Sequence, residues 1–92
     1  MIANLLYFNI INNNQNINIF IFGKLLFVCF TNANFSNGQI VFNFPESIKI
    51  KQETTFAVAG ESGIGEIAIT KKYVKCYGNG SSLSGIGIAI LE

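Results

Sequence analysis

Histidine, arginine, aspartate and tryptophan are all missing from this chain of 92 residues. Without histidine there is no Ser-His or Cys-His pair to activate a nucleophile. Without histidine or aspartate, and with no CxxC pair, the usual zinc ligand sets cannot be assembled, so no metal or cofactor is expected. Carboxylate chemistry would rest on glutamate alone. Glu46, Glu53, Glu61 and Glu66 fall at expected turns or strand ends, where solvated carboxylates are the natural reading rather than a glycosidase pair. No catalytic residue is assigned and the chain reads as a non-enzyme. A net charge of +1 with no arginine argues against nucleic acid, because phosphate recognition wants basic clusters. Lys71, Lys72 and Lys75 are the one local cluster, and they read as solvating a strand end.

Cysteine and proline are scarce too. Cys29 and Cys76 lie far apart, which leaves a disulfide and two buried thiols both open. Long hydrophobic runs are absent. Residues 17–30, INIFIFGKLLFVCF, fall short of the roughly 18–20 apolar residues of a membrane span and are broken by Gly23-Lys24. Residues 1–11 lack the basic flank and small-residue cleavage site of a signal peptide. Neither segment is expected to be a targeting or membrane-inserting element.

What the chain does have is apolar material: 50% of the residues, with phenylalanine the main aromatic. That serves one small domain, whose size alone makes stability marginal. Charge is unevenly spread. Before Glu46 the only charged side chain is Lys24. Such a half is either buried against a partner subunit or covered by the many asparagines in place of charge.

The clearest local pattern is residues 38–45. Ile40, Phe42 and Phe44 fall on one side of an extended chain; Gln39, Val41 and Asn43 fall on the other. Asn37-Gly38 opens it and Pro45 closes it, and it reads as the central inner strand. Alternation recurs in residues 17–22, 25–30, 48–51, 54–59, 66–70, 73–77 and 86–91, with turns between. Gly23-Lys24 is a hairpin signal. Residues 31–38, 60–65 and 78–82 read as loops, the last the clearest of them. Gly85 and Gly87 inside the last strand mark a bulge or a close approach, with a large aromatic or a subunit contact as the neighbour. The fold expected is all-β: a small antiparallel β-sandwich of about seven strands. Residues 16–92 would form its single domain, and residues 1–15 a lead-in strand or linker.

Two constellations invite a functional reading. Residues 60–67, GESGIGEI, resemble the phosphate loop of transporter-type ATPases. However, Glu66 stands at the lysine position and Ile67 at the magnesium-binding hydroxyl. That alternative, a degenerate nucleotide-binding fragment, requires a helix after Gly65; a plain glycine-rich β-turn does not. The second constellation is the set of loops, where amides and hydroxyls lie near aromatic rings, a combination common in sugar binding. Asn34, Phe35, Glu61, Ser62, Tyr77, Asn79 and Ser81 are the candidate ligand-binding residues. A purely structural β-module with no ligand is the remaining reading.

Taken in order, the chain resembles the C-terminal tip domain of bacteriophage tail fibres. The corresponding pieces are the strand of residues 16–22, Gly23-Lys24-Leu25-Leu26-Phe27-Val28-Cys29-Phe30, a loop to Gly38, Ile40-Val41-Phe42-Asn43-Phe44-Pro45, residues 55–60, residues 67–77, and Gly85-Ile86-Gly87-Ile88-Ala89-Ile90. They cover residues 16–92. The resemblance implies a homotrimeric β-sandwich knob on a virion tail fibre, or at an extracellular surface, binding a host-surface glycan or protein. Residues 1–15 would then be the end of a shaft or a linker.

Overall fold

The computed structural model describes residues 8–13 and 16–92 and, among them, shows only β structure with turns. Eight strands follow in chain order: β1 (Phe8–Asn13), β2 (Ile17–Phe22), β3 (Leu25–Phe35), β4 (Ile40–Asn43), β5 (Thr54–Gly60), β6 (Gly63–Ile69), β7 (Tyr73–Tyr77) and β8 (Gly80–Ile90). The all-β expectation holds. The two packed sheets of a sandwich do not appear. All eight strands belong to one antiparallel sheet, ordered β1-β2-β3-β8-β5-β6-β7-β4, which curls so that its concave face closes on itself. Part of the 1–15 lead-in is therefore a strand of this sheet; residues 1–7 and 14–15 lie outside the described residues, and with them much of the reading of residues 1–11.

The alternation seen in the sequence sorts the side chains between the two faces. Ile17, Ile19 and Ile21 of β2 and Leu26, Val28 and Phe30 of β3 point into the core; so do Val58, Ile67, Ile69, Val74 and Cys76 from the other half. Leu83 and Ala89 of β8 join them. Phe30 ties the halves together: its ring meets Phe35 edge-on at 5.9 Å between centroids and Phe56 at 6.1 Å. Ile50, fully buried, closes one end through an isolated bridge to Leu91. That bridge is the only β pairing in residues 48–51, which do not form a strand.

The hairpins follow local chemistry. Gly23-Lys24 reverses the chain between β2 and β3 with positive φ (+63°) at its first central residue only, the pattern that suits a right-twisted hairpin. Glu61-Ser62 reverses the chain between β5 and β6 by another route, with the positive φ (146°) falling just after it at Gly63.

Two strands lie elsewhere than the alternation led one to expect. Residues 40–43 are not central: β4 is the far edge of the sheet, hydrogen-bonded to β7 alone. A bulge between Ile40 and Phe42 disrupts its register, and Ile40 is 43% exposed. Pro45, with no N–H to give a ladder, belongs beside an edge. The expected loop at residues 31–38 is mostly strand, because β3 runs on to Phe35. It does so irregularly: its register with β8 shifts between Phe30 and Ala33 and again between Ala33 and Phe35. Asn32 (φ 48°) and Ser82 (φ 55°) adopt left-handed backbone at this level. There side chains take over from the ladder: Ser84 Oγ accepts from Asn32 N at 3.0 Å, and Asn34 Oδ1 from Ser82 N at 2.8 Å.

Candidate functional site

Hairpin geometry brings the three suspected loops to one end of the sheet. The β5–β6 turn, the β7–β8 turn at Gly78-Asn79 and the chain leaving β3 are neighbours there. Ser62 and Ser81 hydroxyls are 2.7 Å apart, and Ser62 Oγ also donates to the Ser81 carbonyl at 3.1 Å. Asn37 and the β7–β8 turn grip each other: Asn37 N donates to Asn79 Oδ1 at 3.1 Å, and Asn37 Oδ1 accepts from Gly78 N at 2.9 Å. Turns joined this way are ordered relative to one another before any ligand arrives, which lowers the entropy cost of binding.

The candidate residues divide by what they do in this end. Asn34, Ser62, Asn79 and Ser81 are exposed, yet Ser62, Asn79 and Ser81 each have an oxygen engaged in holding the turns together, and Asn34 Oδ1 ties β3 to β8 through Ser82 N. Phe35 cannot offer its ring to a ligand. It is 7% exposed and lies beneath Gly65, where an added Cβ would come within 2.7 Å of its Cζ. The sequence placed it in a loop, but the continued, irregular β3 turns it inward. Glu61, at the tip of the β5–β6 turn, is exposed. Tyr77 is 40% exposed at the end of β7, with Lys75 Nζ 5.4 Å from its ring centroid. Glu66 is the backbone partner of Tyr77 across the ladder and shares its outer face. Ile64, 75% exposed one step from the turn, had no signal in the sequence beyond its place between two glycines. The outer surface beside the turns thus combines one aromatic ring, one ammonium, two carboxylates and one aliphatic side chain.

The phosphate-loop resemblance does not survive folding. Gly63–Ile69 is a strand, not the helix whose N-terminus would hold a phosphate. A groove of ≈ 540 Å³ exists, but at the other end of the sheet, lined by Phe44, Pro45, Lys49, Ile50, Lys71 and Lys72 among others. Lys71 lies in the β6–β7 turn and its backbone N donates to Glu53 Oε2 at 2.9 Å. Among the described residues no group of histidine, cysteine or acidic side chains is placed to hold a metal ion.

Both cysteines are free. Cys76 points into the core from β7, whereas Cys29 lies on the outer face of β3, so the disulfide left open by the sequence does not form. Burial pushes the Cys76 thiol from its ordinary 9.0 up to about 11, and raises Cys29 as well. Neither is an activated nucleophile.

The outer face of β2, β3 and β8 was not anticipated residue by residue. Cross-strand register lines up Phe22, Leu25 and Ile90 in one row, Phe20, Phe27 and Ile88 in the next, and Asn18, Cys29 and Ile86 in a third. Phe22 is 41% exposed, Leu25 39%, Ile86 58%, Ile88 48% and Ile90 52%. Phe20 and Phe27 stack with centroids 5.0 Å apart. The alternation of Ile86, Ile88 and Ile90 with small residues is readable in the sequence, but it does not say which set faces out. Gly85, Gly87 and Ala89 face in, and the isoleucines are displaced to the surface.

No protein-family profile, curated protein or solved structure matches the chain. No helix of the described residues is long and apolar enough to cross a membrane.

Proposed function

We propose that the chain is a non-enzymatic attachment module, a tail-fibre-tip-like β domain that works as a homotrimer and binds a receptor on a host cell surface. The observation that carries this reading is the convergence of three side-chain-tied turns at one end, beside the exposed Tyr77, Glu61, Glu66 and Ile64 and the half-buried Lys75. A ring with flanking carboxylates and an ammonium suits a sugar, whose C–H face stacks on an aromatic while its hydroxyls take charge-assisted hydrogen bonds. The sequence resemblance to phage fibre tips points the same way. The purely structural alternative gives the same fold but leaves this end without a task.

The test is binding of the labelled protein to a glycan array and to a panel of bacterial cells, alongside Tyr77→Ala and Glu61→Gln. Binding that falls about tenfold or more in Tyr77→Ala, with folding unchanged, supports the reading. Silence on both the array and the cells favours a structural module.

A further inference from the structure

We infer that the outer face of β2, β3 and β8 is a self-association surface, covered in solution by a second copy of this chain. The inference locates a contact between copies of the chain, and it stands on observations separate from the receptor-binding end. The first is composition. Three rows of side chains across three strands present Phe20, Phe22, Leu25, Phe27, Ile88 and Ile90 with no charge among them. Lys24, in the β2–β3 turn, stands at the rim. An apolar centre with charge kept to the edge is the anatomy of a protein interface.

The second observation is area. With about 150–250 Å² for each large side chain, the five exposed fractions amount to roughly 450 Å², before Phe20, Phe27 and Cys29 add their partial exposure. That lies in the middle of the range of the largest apolar patch on an ordinary monomer, about 300–600 Å², a patch that is itself often functional. It supplies most of the apolar part of a standard interface, about 800 Å² per partner and little more than half apolar.

The third is the lack of any charge to select a different partner. A surface without charge has no electrostatic complement to seek, and its best match in shape and polarity is another apolar sheet face, such as its own copy. A lipid surface would call for a basic cluster of about four to eight residues; the rim carries Lys24 and, beside the end of β8, Lys49 and Lys51 with Glu92 next to them, which does not make one. An unrelated protein would take the site without a change in the chain's own oligomeric state, which the test below separates.

Cys29 supplies a reporter because it lies in the third row, on the same outer face, while Cys76 is buried in the core. The experiment is analytical ultracentrifugation of the whole chain at about 20 μM, a concentration at which a micromolar complex is mostly assembled. It is combined with maleimide labelling of both cysteines. The wild type is expected to sediment as an oligomer with Cys29 protected. Ile88→Lys, at the centre of the patch but outside the core, is expected to sediment as a monomer and to label Cys29 about tenfold faster or more. Cys76 should stay protected in both, which shows that the variant is folded; Ile90→Lys serves should Ile88→Lys fail that control.

A wild type that is monomeric at this concentration overturns the inference. So does an oligomer that Ile88→Lys and Ile90→Lys leave intact, since the copies would then meet elsewhere. An oligomer dissolved by these substitutions, with silent glycan and cell binding, would sustain this surface while removing the attachment reading.

Discussion

The ring of Phe56 occupies the space where a Cβ on Gly87 would sit. β5 and β8 are neighbours in the sheet, and Phe56 leans across β8 to reach Phe30 at 6.1 Å. Any side chain at 87 would displace the ring from the contact that joins the two halves of the core. Gly87→Ala should therefore destabilise the fold by about 1–3 kcal/mol, the usual cost of overpacking. Phe56→Leu leaves a smaller, more adaptable side chain. Gly87→Ala combined with Phe56→Leu should cost measurably less than the sum of the two single substitutions. Urea unfolding of the four proteins gives the coupling directly, and strict additivity would show that the ring is not what the glycine accommodates.

That relationship was half legible in the sequence. Glycines at 85 and 87 within a strand announce a close approach, and an aromatic was one of the neighbours expected. Alternation does not name the neighbour, because it reports which residues share a face and says nothing of which strand lies alongside. For the same reason it could not tell a sandwich from one curled sheet, nor place residues 40–43 at an edge. The loop at 31–38 was misread because its asparagines and serine are turn formers. Here they hold together an irregular strand, and Phe35 is carried into the core with it. Ser62 and Asn79 were recognisable as turn residues, whereas residues 80–82, read as part of the clearest loop, open β8 and carry Ser81 with them; the bonds among these residues depend on a topology that local pattern does not contain.

The irregular level of β3 and β8 gives a second prediction. Ser82 holds a left-handed backbone (φ 55°), which a residue with a Cβ adopts at a cost that glycine avoids. Its N–H is satisfied by Asn34 Oδ1 at 2.8 Å. Ser82→Gly should leave the fold as stable or raise its stability by up to about 1 kcal/mol. Asn34→Ala should lower it by about 1 kcal/mol, because the amide loses its acceptor. Thermal unfolding followed by circular dichroism reads both. Asn34→Ala must lose stability where Ser82→Gly does not; a clear loss of stability in Ser82→Gly would count against the strain.

The ties between turns can be tested without any ligand. Asn37 makes two hydrogen bonds to the β7–β8 turn, one from its backbone and one to its side chain. Asn37→Ala removes the bond to Gly78 N, and Asn79→Ala removes the acceptor for Asn37 N. Each should cost about 0.5–1.5 kcal/mol. The larger effect should be local: hydrogen exchange at Gly78 should speed up in Asn37→Ala while core amides such as Ile67 keep their protection. Uniform acceleration across the sheet would mean that Asn37 supports the whole fold rather than this end of it.

Alkaline pH provides a last test, on Cys76. Its thiol is wholly buried on β7 among the apolar residues of the core, and burial lifts its pKa from 9.0 to about 11. The folded chain thus holds this proton to higher pH than the unfolded chain does. The corresponding stability is fully present below pH 9.0 and is lost progressively as pH rises toward and through about 11. The wild type alone would not isolate the effect of this one thiol. Cys76→Val keeps an apolar side chain of similar size and removes the ionisable group. The stability difference between the two proteins should be constant from neutral pH to about 8.5 and then shift in favour of Cys76→Val. A difference that stays flat to pH 10.5 or so would mean that the thiol keeps its ordinary pKa on folding, and that this part of the core is open to water.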